Sequence, residues 1–148
     1  MKISKKSRYG ITALIDLAIN SKDGHVALSH IAERNGISLQ YLEQVFAGLR
    51  RVGIIKSIKG AQGGYLLNKP SKSITVAEII EALDGTYHID SEEGTKNSEN
   101  PAIAITLQTR IIDKVNEEMD AILLNITLDD LVNDYKSNNE FNEQMYYI

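Results

Sequence analysis

Three residues, Gly36-Ile37-Ser38, constrain this chain more than any others. Upstream, Ser29 to Asn35 fits a short helix, and Gly36 stands where a helix end calls for a left-handed residue. Downstream, Ser38 is placed to cap a third helix over Leu39 to Val52, whose Leu42, Val45, Phe46 and Leu49 recur at spacings of three and four. A first helix, Ser7 to Ser21, carries Ile11, Leu14, Ile15 and Ala18 at helical spacing. Helix, short glycine turn and helix make a helix-turn-helix pattern.

Next, Ile54-Ile55-Lys56-Ser57-Ile58-Lys59 and Tyr65-Leu66-Leu67 flank Gly60-Ala61-Gln62-Gly63-Gly64. Two β-prone runs about a glycine-rich tip predict a hairpin, and a hairpin behind a helix-turn-helix is a winged helix. Thr75-Val76-Ala77-Glu78 has the form of a capping box for a fourth helix, which Gly85 ends. Residues 86–100 are polar, acidic and aperiodic, and predict a loop. Asn100-Pro101 opens a long fifth helix. Along it Ile105, Ile112 and Met119 recur at seven-residue steps, flanked by Ile111, Val115 and Ile122. Such a stripe needs a partner, and a second copy is the economical one. Thr127-Leu128-Asp129-Asp130 caps a short last helix to about Lys136.

The expected fold is therefore mainly α with a small β-hairpin. A winged helix-turn-helix domain spans residues 1–85, a loop 86–100, a dimerisation helix and short C-terminal helix 101–136, and a flexible polar tail 137–148.

Composition narrows the function. The net charge of -4 hides a split: residues 1–72 hold 12 Lys/Arg against 4 Asp/Glu, and the remainder 4 against 16. A basic half joined to an acidic one points to a polyanion at one end only. With Cys 0, disulfides, thiolate nucleophiles and cysteine-held metal or iron–sulfur groups are excluded. No apolar run approaches the roughly 20 residues of a membrane span. The basic start precedes an apolar run, but Asp16 interrupts it and no small-residue cleavage site follows, so a cytoplasmic protein is expected.

The third helix offers Gln40, Tyr41, Glu43 and Gln44 near its capped end at Ser38. In a helix-turn-helix that end enters the major groove, where Gln pairs with adenine, Glu accepts from cytosine, and Tyr meets phosphate or a thymine methyl. Four polar residues alone favour a solvated helix face; the basic half and the hairpin reverse that preference towards DNA. Lys5, Lys6, Arg8, Arg50, Arg51, Lys56 and Lys59 are the candidate phosphate contacts. At the tip, Gly60 and Ala61 allow close approach to a minor groove and Gln62 reaches inward, although the glycines also fit a plain hairpin. The tip lacks the Gly-Lys-Ser/Thr ending of a nucleotide loop. His25, His30 and His88 show no metal-ligand or catalytic-triad spacing, and His88 beside Asp90, Glu92 and Glu93 reads as part of a solvated acidic loop. No enzyme site and no cofactor are expected.

Three stretches then acquire a common meaning: Lys5-Lys6-Ser7-Arg8-Tyr9-Gly10, Gly36 to Gln44, and Lys59 to Leu67. With Asn125-Ile126-Thr127-Leu128-Asp129-Asp130-Leu131, they resemble the Rrf-two family of winged-helix transcription regulators over nearly the whole chain. The resemblance implies a homodimer joined through Ile105, Ile112, Val115, Met119 and Ile122 on a partly palindromic double-stranded DNA operator. It also implies base contacts by Gln40, Tyr41 and Gln44. Many members hold an iron–sulfur cluster on three cysteines in the loop after the fourth helix, and here that loop has none. The ending Met145-Tyr146-Tyr147-Ile148 resembles a cysteine-free branch that represses cysteine-metabolism genes together with cysteine synthase, whose pocket takes a C-terminal isoleucine. In that reading O-acetylserine displaces the tail and relieves repression. The alternatives are a tail folded back on the dimer, a different small-molecule effector, and an interaction module that no longer binds DNA.

Overall fold

Side-chain caps set the helix starts. Ser4, Ser38 and Thr75 each accept, at 3.1 Å, the backbone N–H three residues on, from Ser7, Tyr41 and Glu78. The computed structural model describes residues 3–92 and 100–146. Its elements are α1 (Lys5–Asn20), α2 (Leu28–Asn35), α3 (Leu39–Arg51), β1 (Ile55–Ile58), β2 (Gly64–Leu67), α4 (Val76–Asp84), α5 (Pro101–Leu107), α6 (Asp113–Leu123) and α7 (Leu128–Tyr146). Gly36 closes α2 at φ 62°, as its place in the turn requires. Glu78 completes only half of a capping box, because its carboxylate turns to Lys69.

One core joins α1 to α4, the hairpin and the start of α7, and a smaller cluster seats α6 on α4. Leu14 and Leu17 of α1, Ile31 of α2, Phe46 and Leu49 of α3 and Ile79 of α4 are fully enclosed. The hairpin pairs antiparallel with Ile55 opposite Leu67 and Ile58 opposite Gly64. Val26, just before α2, adds a bridge to Tyr65, so three segments line up near the tip end of the wing.

The C-terminal segment departs from expectation twice. The last helix does not stop near Lys136, and the tail is not an extended polar run: α7 continues through Ser137 to Gln144 as far as Tyr146. Polarity was the misleading signal, since neither Gly nor Pro occurs between Leu128 and Tyr146 and helix can propagate. A reciprocal capping box starts it, with Asp130 N donating to Thr127 Oγ1 at 3.1 Å and Thr127 N to Asp130 Oδ2 at 2.9 Å. Its first turns return to the winged-helix body: Leu128 and Val132 are in the core, and Leu128 N donates to Ile74 O at 2.8 Å.

The long helix is also broken in register. A π turn over Gln108–Ile112 separates α5 from α6. Thr106 and Thr109 hydroxyls donate to the carbonyls four residues back, and Gln108 Nε2 donates to Asp113 Oδ1, all at the place where the ladder widens. The seven-residue stripe therefore does not lie on one side. Met119 packs with Leu123 against Val76, Ala77 and Ile80 of the same chain. Ile105 and Ile122 are exposed, Ile112 and Val115 half-buried, and Ile103, Leu107, Ile111 and Leu124 add exposed apolar surface. No helix among the described residues is long and apolar enough to cross a membrane.

Candidate nucleic-acid interface

On α3 the buried residues Leu42, Val45, Phe46 and Leu49 leave one side free. That side carries Gln40, Glu43, Gln44, Ala47 and Arg51, all exposed and spaced by three and four, so they form a single stripe. Ser38, at its start, is exposed and engaged as the cap. Ala47 was not singled out from sequence; its position three residues after Gln44 on the polar stripe is the signal that marks it. A methyl there suits contact with a thymine methyl. Tyr41 lies off the stripe, half-buried, with its ring edge-on to Tyr9 at 5.6 Å.

That ring contact brings the basic start of α1 beside the start of α3. Lys5 Nζ stands 5.5 Å from the Tyr9 ring centre, and Lys6 and Arg8 occupy the same first turns. No acidic residue is in that first turn. Cations at the positive end of a helix dipole are poorly placed for the isolated chain and well placed for a polyanion. Asp84 supplies the local counter-charge. Partial burial pushes its carboxyl up, but hydrogen bonds from Ser4 and Ser7 and the charge of Lys6 outweigh this and hold it below the ordinary value.

The wing is fastened to this platform. Tyr65 of β2 meets Phe46 of α3 edge-on at 5.0 Å. Arg50 Nη1 lies 3.5 Å from Ser57 Oγ and is directed at β1, while Arg51, Lys56 and Lys59 are exposed. At the tip Gly60 takes φ 125°, and Ala61 and Gln62 are exposed. A Cβ on Gly63 would lie 2.4 Å from Ile58 O and one on Gly64 2.5 Å from Val26 O, so both positions exclude any side chain. The basic start of α1 and the wing are thus both packed on α3, one through Tyr9 and Tyr41 and the other through Tyr65 and Phe46.

Away from it, the loop after α4 is tied to α6. Tyr87 Oη donates to Asp120 Oδ1 at 2.5 Å, and His88 Nε2 meets the same oxygen at 2.7 Å. Asn116 accepts from Ile89 N at 2.8 Å and donates to Ile89 O at 3.1 Å. His88 is therefore not simply solvated, as its acidic neighbours in sequence had implied. Burial, and then the bond to Asp120, push the Tyr87 hydroxyl up to about 12, while the bonds from Tyr87 and His88 hold Asp120 below its usual range. Met145 and Tyr146 are exposed at the end of α7; Tyr147 and Ile148 lie outside the described residues.

Comparison with known proteins gives the site its context. The family model Rrf2 (Rrf-two), described as an iron-dependent transcriptional regulator, matches residues 3–134. The HTH-type transcriptional regulator IscR of Klebsiella pneumoniae is 41% identical over 133 residues, covering 90% of this chain and 80% of that protein. The solved structure of CymR, the global cysteine regulator of B. subtilis, is similar at a TM-score of 0.69 and 38% identity, covering 90% of this chain and 97% of the other. IscR of T. potens is similar at 0.67 and 38%, covering 91% and 88%. These relatives are regulators, not enzymes.

The iron that the family description implies does not fit the residues present. The chain has Cys 0, and among the described residues no three His, Asp or Glu side chains converge on a metal position. The likeness in sequence and fold spans the helix-turn-helix, the wing and the long helix together, and on that basis the chain belongs to the Rrf2 family of DNA-binding transcriptional regulators.

Proposed function

We propose that this chain is a homodimeric repressor of cysteine or sulfur metabolism genes, regulated through cysteine synthase rather than through a bound metal. The observation that carries this reading is the loop after α4. It offers no cysteine, and its first residues are closed onto α6 by the Tyr87, His88 and Asn116 bonds. Signal sensing then falls to a partner. The similar solved structure whose own description is a global cysteine regulator supports the regulon. Met145, 61% exposed, lies near the end of α7, where the tail would meet such a partner. Exposed Ile103, Ile105, Ile111 and Ile122 favour pairing of two long helices. Two α3 stripes related by a two-fold axis would then read half-sites about one helical turn, ~34 Å, apart.

The test is capture of cysteine synthase by the intact protein and by a form lacking residues 145–148, each with and without operator DNA selected from random duplexes. Capture by the intact form alone, reversed by O-acetylserine, is the expected result; equal capture by both sinks the partner role. A second reading, direct binding of a small effector, is favoured by one feature. A cleft of about 590 Å³ lies between α1, α2 and α7, with Ile15, Ile19 and Tyr135 beside Thr12, Asp16 and Arg34. In that case O-acetylserine leaves the complex with DNA unchanged.

A further inference from the structure

The wing tip is bonded to the segment before α2. Tyr65 N donates to Val26 O at 2.8 Å, and Val26 N to Tyr65 O at 3.0 Å. One residue earlier, His25 Nε2 lies 2.5 Å from the backbone oxygen of Gln62 at the tip. Between them is a cleft of about 520 Å³, with Gln62 and Gly63 on the wing side and Asn20, His25, His30 and Arg34 on the body side. We propose that this cleft is a protonation-gated phosphate site, in which His25 and His30 engage the nucleic-acid backbone beside the wing.

The chemistry follows from hydrogen-bond roles. A carbonyl oxygen only accepts, so Nε2 of His25 carries the proton in the bond to Gln62. Neutral His25 therefore presents a bare Nδ1 lone pair, which repels a phosphate oxygen. A second proton adds at Nδ1, leaves the Gln62 bond in place, and turns the ring into a cationic donor. His30 is exposed and lies one turn before Arg34 on α2. Arg34 is held by Asp16 through Nε at 3.0 Å and Nη2 at 2.7 Å, which fixes the guanidinium and cancels its charge locally.

The other charged residues on the elements around the cleft are Lys5, Lys6, Arg8 and Asp16 of α1, Lys22 and Asp23 in the following loop, Glu33 and Arg34 of α2, and Lys56 and Lys59 of the wing. Of the residues that line the cleft itself, Arg34 is already paired with Asp16, so the charge facing a ligand there comes from the two histidines when they are protonated. Histidine is the side chain whose charge ordinarily changes near neutrality. A phosphate diester in the cleft would offer acceptor oxygens to both rings, which line it. Ala61, Gln62 and Gly63 of the tip line the same cleft, so a phosphate held there would lie beside the wing.

The test uses a labelled duplex of mixed sequence, because sequence-independent binding is dominated by backbone contacts. Fluorescence anisotropy near pH 7.5 and near pH 6 compares the full chain with the His25→Gln, His30→Gln double variant. Glutamine retains a donor for the Gln62 oxygen without the titration. The wild type should tighten by up to about tenfold at the lower pH, since a pKa raised by one unit on binding is a tenfold gain. The double variant should lose most of that gain. Equal tightening in both proteins, or none in the wild type, overturns the proposal. Histidine NMR on the wild type needs no variant: added duplex should raise the titration midpoints of His25 and His30 and leave His88 unmoved. Midpoints unmoved by duplex, or moved as far by inorganic phosphate at equal phosphate concentration, overturn a backbone site.

Discussion

Ser7 Oγ donates to Asp84 Oδ2 at 2.6 Å, and Ser4 donates to the same carboxylate through its N at 3.2 Å and its Oγ at 2.5 Å. Residues 77 and 80 positions apart thus tie the start of α1, with its basic first turn, to the end of α4. Ser7 is fully buried, so its hydroxyl has no alternative in water.

Asp84→Ala should therefore cost about 1–3 kcal/mol at neutral pH, most of it from the stranded Ser7 hydroxyl. For a chain of this size that is a fall of roughly 3–10 °C in Tm, measurable by calorimetry. The sign with pH follows from the depressed folded pKa of Asp84. Its ionic contribution is present above the ordinary value of 3.8 and is lost as the pH falls through the lower folded value. The gap between wild type and variant should narrow below that pH.

Gly10 and Gly64 are close approaches of different kinds. A Cβ at Gly10 would lie 2.4 Å from Leu83 Cδ1, a side chain able to shift, and one at Gly64 2.5 Å from Val26 O, which is backbone. Gly10→Ala should cost about 1–3 kcal/mol by overpacking while the protein still binds duplex. Gly64→Ala should open the Val26–Tyr65 bridge and weaken duplex binding about tenfold or more with a smaller change in unfolding. Urea melts and anisotropy on the same samples separate the two.

Gln44 sits mid-stripe on α3 and is exposed, so its replacement reports on DNA rather than on folding. Gln44→Ala should lose about 1–3 kcal/mol on a selected operator and almost nothing on random duplex. A uniform loss on both would make it a backbone contact.

Ile111 and Ile122 are 52% and 55% exposed on the long helix. If two such helices pair, Ile111→Glu with Ile122→Glu buries charge at the contact, and sedimentation should show monomers at concentrations where the wild type is dimeric. Unfolding of the monomeric unit should barely change, because neither side chain is in its core.

Much of this protein is written locally. Gly36 and Ser38 end one helix and start the next within three residues, Thr127 and Asp130 cap α7, and the glycine run at 60–64 turns the hairpin. The polar stripe on α3 follows from the period of its apolar neighbours alone. Such features depend on backbone preference and on contacts a few residues long, and both are read directly from sequence.

The tertiary structure decided the rest, where the partners are far apart in the chain or where polar composition imitates disorder. Ser7 reaches Asp84 and His25 reaches Gln62 only because the packed core brings their segments together. α7 runs to Tyr146 because its first turns are anchored on Ile74 and nothing breaks it afterwards. Met119 packs onto its own α4, and the π turn interrupts a stripe that an even count of sevens had joined. Periodicity assumes an uninterrupted helix, and only packing against a particular neighbour shows which way each residue faces.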